Sequence, residues 1–129
     1  MQLPVAMLCD AASGREGLLF VMGGGITRLL PSEYPARTPT VAFIVLLDEL
    51  DYGEEHEFRV TVMDAEEREL GSGTGKFESV SFEDSGEALL FPGVVPLMDI
   101  GLLEAGDYEV RLSIDGLIMA RLPLRATPV

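Results

Sequence analysis

Four groupings of residues in this sequence are of types that do chemistry, and spacing decides each of them. His56 is the single histidine and Cys9 the single cysteine. A Ser or Cys nucleophile needs a base held beside it, so any acyl-transfer site would depend on His56. It stands between Glu55 and Glu57 at the start of an alternating segment. That position reads as a solvated edge histidine whose acidic neighbours favour its protonated form. One His and one Cys cannot complete the nitrogen and sulfur shell of zinc.

Gly71-Ser72-Gly73-Thr74-Gly75-Lys76 has the composition of a phosphate loop without its spacing. The motif needs a Gly where Leu70 stands and a Ser or Thr where Phe77 stands. No helix follows to aim its N-terminus at a phosphate, so a flexible hairpin loop is expected. Gly23-Gly24-Gly25 likewise lacks the spacing of a dinucleotide fingerprint.

Carboxylates are the third grouping. Asp48, Glu49, Asp51, Glu54 and Glu55 crowd one stretch, followed by Glu57, and Asp64, Glu66, Glu67 and Glu69 crowd another. The offsets of the first do not fit a calcium-binding loop of the EF-hand type, so at most a weak, millimolar calcium affinity is expected there. If one strand joins the two stretches, they lie at opposite ends and cannot share an ion. Paired carboxylates for glycoside cleavage form the fourth grouping, but the sequence has no Trp and only three Tyr to make a sugar platform. The residues therefore name no catalytic site, no metal and no cofactor, and a non-enzymatic role is expected.

The elements that would position these residues follow from the rest of the chain. Its 129 residues are 47% hydrophobic, enough for one domain with a core of its own. Twenty-two acidic against nine basic residues give a net charge of −13. Such a surface repels phosphate backbones and anionic membranes, which excludes nucleic acid and membrane as partners and favours basic proteins or cations. Val41 to Leu47, the longest apolar run, is too short to span a bilayer. Met1-Gln2-Leu3-Pro4 lacks the positive start of a signal peptide. With a lone Cys9 in apolar surroundings, a reduced cytoplasmic protein is expected.

Period-two alternation dominates. Phe58, Val60 and Val62 share one face of a strand, with Glu57, Arg59 and Thr61 on the other. Tyr108 to Ile114 and Leu117 to Arg125 alternate on either side of Asp115-Gly116, a strong hairpin signal. Leu3 to Cys9 and Val41 to Leu47 are continuously apolar, as expected of central strands covered on both faces. Gly17 to Met22 is a further strand, entered through a loop at Ala11 to Glu16 and ended by a corner at Gly23-Gly25, after which Ile26 to Leu30 resumes. A strand over Lys76 to Phe82, a polar turn at Asp84 to Ala88 and an edge strand or extended link at Pro92 to Pro96 complete the reading. Tyr108 opens a late strand at a corner where a tyrosine hydroxyl commonly bonds nearby backbone. Together these give an all-β, antiparallel β-sandwich of about eight strands, immunoglobulin-like or jelly-roll-like.

Leu8-Cys9-Asp10-Ala11-Ala12, a following Gly, and a short apolar strand ending in Gly23-Gly24-Gly25 resemble the opening of a family of small bacterial proteins of unknown function. The ending Leu103-Glu104-Ala105-Gly106-Asp107-Tyr108, then Ile114-Asp115-Gly116, is similar as well. The resemblance spans nearly the whole chain and supports the sandwich. It implies no activity and no site residues.

The expected function is a binding or accessory domain that contacts another protein, basic in character, through Asp48, Glu49, Asp51, Glu54, Glu55 and Glu57. Gly71 to Gly75 is a second candidate loop. A homo-oligomeric assembly role is the alternative, because apolar Leu89-Leu90-Phe91 and Ile100, Leu102 and Leu103 exceed what a small sandwich hides. A weak calcium-dependent module is the third reading.

Overall fold

Short alternating segments punctuated by Gly, Pro and Asp-Gly make strands rather than helices. The computed structural model describes residues 1–48, 51, 53–78 and 89–129, and its elements are all strands. In chain order these are β1 (Gln2–Cys9), β2 (Ala11–Arg15), β3 (Leu18–Met22), β4 (Arg28–Leu29), β5 (Ala36–Arg37), β6 (Thr40–Leu47), β7 (Glu55–Met63), β8 (Glu69–Glu78), β9 (Leu89–Val95), β10 (Gly101–Leu102), β11 (Gly106–Ile114) and β12 (Leu117–Ala126).

Two sheets face each other. One is antiparallel, in the order β1-β6-β9, and the other runs β4-β12-β11-β7-β8. Every pairing in the larger sheet is antiparallel except that of β4 with β12. Two ribbons, β2-β3 and β5-β10, complete the fold. The expected antiparallel sandwich is the architecture, and among the described residues the short contact of β4 with β12 is the one parallel pairing.

The core comes from the inward rows of both sheets. Val41, Phe43, Val45 and Leu47 of β6, Phe58, Val60 and Val62 of β7, and Val110, Leu112 and Ile114 of β11 are all buried. Each such side chain contributes roughly 1.5–3 kcal/mol through burial. Phe43 meets Phe58 edge-on, with centroids 5.3 Å apart. Phe91 of β9 stacks on Phe77 of β8 at 4.4 Å. These two contacts bridge the sheets.

β6 is covered on both faces, as its apolar run predicts: the larger sheet packs on one side, and the β2-β3 ribbon lies over the other, contacting β6 and β9. β1 is not central. It forms an edge beside β6, half-exposed over its first residues, with a register slip between Gln2 and Val5. Pro4 falls in that slip, and a residue without an N–H belongs at an edge or a bulge.

The glycine-rich segment is a second correction. Gly71 to Gly75 is no loop but the middle of β8, paired in register with β7. Its glycines recur every second residue, so all three face the core. A Cβ would come within 2.8 Å of Ile100 at position 71 and 3.0 Å of Val95 at 73, and at 75 it would run into the Phe58 ring. Phe58 of the neighbouring β7, Val95 of the facing β9 and Ile100 just before β10 fill the space that side chains would occupy.

Ala11 to Arg15, expected as a loop, is β2, and it turns into β3 through Glu16-Gly17. The resumed strand at Ile26 to Leu30 shrinks to β4. The corner at Gly23-Gly25 is present, with the N–H groups of Gly25 and Ile26 both donating to the Leu8 carbonyl. β9 carries Pro92 on the edge of the smaller sheet, as its prolines imply. β8 is described as far as Glu78, and both the remainder of the expected strand to Phe82 and the turn at Asp84 to Ala88 lie outside the described residues. Tyr108 is buried and donates its hydroxyl to the Glu104 carbonyl at 2.6 Å, which closes the expected corner.

Candidate functional site

The acidic end is built where β6 stops, β7 starts and β11 turns into β12. Asp115 and Gly116 both adopt positive φ, 51° and 82°, the conformation that a two-residue hairpin turn requires. That turn brings the Asp115 carboxylate beside β7. Its Oδ1 accepts the Glu57 N–H at 3.0 Å, and the Asp115 N–H donates to the Glu57 carbonyl at 2.8 Å.

His56 organises this end, and its position overturns the expectation of a solvated histidine. The alternation that buries Phe58, Val60 and Val62 also turns His56 inward, leaving it 4% exposed. The ring stacks on Phe77 with centroids 5.2 Å apart. Its Nδ1 lies 2.7 Å from Asp115 Oδ2 and its Nε2 lies 3.1 Å from the Asp51 carbonyl oxygen. A carboxylate and a carbonyl are both acceptors, so both ring nitrogens must donate, which only the imidazolium can do. Burial alone would lower the His56 pKa. The hydrogen bonds to Asp115 and to the Asp51 carbonyl, with the charges of both carboxylates, outweigh it and hold the pKa above the usual value. The His56 hydrogen bond in turn holds Asp115 below the usual carboxylate range, and the Glu57 N–H adds to that. His56 is thus a structural pin, with no nucleophile on either nitrogen.

The residues predicted for a binding surface gather around this pin in two groups. Asp48 and Asp51 form one: the Asp48 N–H donates to Asp51 Oδ2 at 3.0 Å, the Asp51 N–H donates to the Asp48 carbonyl, and the Met1 amino group lies 3.0 Å and 3.2 Å from the two carboxylates. Glu55 and Glu57 form the other, on the solvent face of β7, where Glu55 pairs with Lys76 at 3.3 Å. Glu54 is exposed between them. Glu49 lies outside the described residues. Among the described residues, no three His, Cys, Asp or Glu side chains converge as metal ligands. Asp64 and its acidic neighbours sit beyond the far end of β7, as the strand between them requires.

Cys9 is fully buried, and burial, helped by the charge of Asp10, pushes its thiol pKa up. A thiol in that state is a poor nucleophile.

A second region escaped the sequence reading. Register places Ala11, Ser13 and Arg15 on one face of the ribbon with Met22, Phe20 and Leu18. The opposite face, which carries Gly14 against Pro92, lies on the smaller sheet. Leu18, Phe20 and Met22 are 57%, 43% and 71% exposed, and the Arg15 guanidinium sits 4.8 Å over the Phe20 ring.

Among the described residues no helix is long and apolar enough to cross a membrane. No curated protein matches this sequence. A family model does match it over residues 4–127, so the resemblance to a family without assigned activity holds along nearly the whole chain. The chain belongs to the family of unknown function DUF6941.

Proposed function

We propose that this chain is a non-catalytic, cytoplasmic interaction domain whose acidic end receives a basic surface of another protein. One observation carries the reading: the exposed carboxylates of Glu54, Glu55 and Glu57 stand beside a frame fixed by His56 between the Asp51 carbonyl and the Asp115 carboxylate. A charged surface that is already ordered loses little entropy on binding and steers its partner by complementarity. The net charge of −13 extends that steering over the whole molecule.

Affinity capture at low and high salt, followed by kinetics with any captured protein, tests the reading. Charge reversal at Glu54, Glu55 and Glu57 is expected to slow association and to flatten its salt dependence. An on-rate unchanged by the reversal would contradict the assignment. Homo-oligomeric assembly is the second reading, and the exposed apolar row of β3 favours it.

A further inference from the structure

We infer that the outer face of the β2-β3 ribbon is a self-association surface whose occupant is a second copy of this chain. The ribbon does not need this face for its own folding. It is anchored to the smaller sheet by its opposite face, with Gly14 against Pro92, so alternation would ordinarily leave polar residues outside. Positions 18, 20 and 22 are instead Leu, Phe and Met, all more than two-fifths exposed.

The shape of the face identifies the occupant. On β3 the outward row is bulky: Leu18, Phe20, Met22. On β2 the row directly across is small at its base and centre, where Ala11 pairs with Met22 and Ser13 with Phe20. A ridge therefore runs beside a trough, and an open depression of about 310 Å³ lies along the line of Ala11, Ser13, Phe20 and Met22. A face with a ridge and a trough side by side is complementary to itself. A two-fold axis lying along the strands, between the rows, sets each ridge on the other copy's trough, which is the isologous arrangement of closed dimers.

Charge agrees with shape. The chain carries −13, yet this face has Asp10 only at its base and Glu16 only in the turn, and the one charge over its middle is a cation, the Arg15 guanidinium on the Phe20 ring. The same axis keeps both turns at one end, so Arg15 of each copy comes beside Glu16 of the other. A small face within a strongly acidic molecule gives a weak dimer. The repulsion between two acidic bodies makes that dimer tighten as salt rises. Binding at the acidic end should do the opposite, so the two surfaces are told apart by the sign of their salt response.

Sedimentation velocity on the intact chain, from micromolar to millimolar concentration at low and high salt, tests the inference. The mass is expected to rise from monomer to dimer with concentration, and at lower concentration in high salt. Phe20→Glu is expected to hold the chain monomeric throughout, with an unchanged circular dichroism spectrum and melting temperature. Met22→Ser, milder and at the most exposed position of the row, is expected to weaken the dimer several-fold should Phe20→Glu fail to fold. Charge reversal at Glu54, Glu55 and Glu57 should leave the dimer intact. A monomer at every concentration would overturn the inference, as would a dimer that survives Phe20→Glu or Met22→Ser undiminished.

Discussion

The acidic end and the outer face of the β2-β3 ribbon are held to the same sandwich in opposite ways. At the acidic end, polar bonds run inward. His56, Asp115, the Asp51 carbonyl and the Glu57 backbone satisfy one another, and the side chains of Glu54, Glu55 and Glu57 are exposed beside that frame. On the ribbon, apolar contact runs inward through Gly14 and its neighbours, and a second apolar row points out, with the Arg15 guanidinium over its Phe20 ring. The first surface is organised by a charge that is buried. The second is defined by apolar area that is not. A strongly acidic protein thus concentrates its order where its charge is and keeps acid off the face where a copy of itself can approach.

Removing the pin should give the largest effect that separates the regions. His56→Ala deletes a buried ring that stacks on Phe77 and orphans two acceptors, and is expected to cost about 3 kcal/mol by denaturant unfolding. The dimer constant, corrected for the unfolded fraction, should not change. Next comes the scaffold under the acidic end. Gly75→Ala would set a Cβ against the Phe58 ring across the β7–β8 pairing, an overpacking worth about 2 kcal/mol. A neutral result would mean that the aromatic ladder yields more readily than its packing implies.

The pH dependence is smaller and has a definite sign. His56 titrates above its unfolded value of 6.5, so its contribution is complete below pH 6.5 and is lost as pH rises through the folded pKa. Asp115 titrates below its unfolded value of 3.8, so its contribution is complete above pH 3.8 and is lost as pH falls through the folded pKa. The pair therefore stabilises fully between those limits and declines on the alkaline side from pH 6.5 upward. Because Asp115 is half-exposed and solvent screens its charge, the decline should be modest, measured as unfolding free energy against pH. Asp115→Asn should flatten it. Smallest of all are the surface changes: Phe20→Glu and the charge reversals at Glu54, Glu55 and Glu57 should each leave stability within about 0.5 kcal/mol, even as they alter association.

Much of the fold was legible because the chain writes it locally. Asp115-Gly116 between two alternating strands can hardly be anything but a hairpin, and the apolar run of β6 states that both of its faces are covered. The glycines of β8 were misread because Gly serves turns and close approaches alike. Their spacing at every second residue was the available signal, since a loop has no reason to keep the period of a strand. His56 was misread for a related reason. Its neighbours Glu55 and Glu57 suggested solvent, yet the row of Phe58, Val60 and Val62 extended back by two residues places it inside. What no local pattern supplies is its partners: Asp115 is far along the chain, and only the pairing of β7 with β11 brings it near. The outward apolar row of β3 was visible as composition, but which residues faced out depended on β2 being a strand.

The most direct test is the protonation of His56 itself, read from the ring nitrogens in a long-range proton–nitrogen NMR correlation at about pH 6, below the ordinary histidine value. Two protonated ring nitrogens, with a titration midpoint above that of a free histidine and lowered by Asp115→Asn, are the predicted result. A neutral ring with one bare nitrogen at that pH would contradict the pinned acidic end and the fixed surface derived from it.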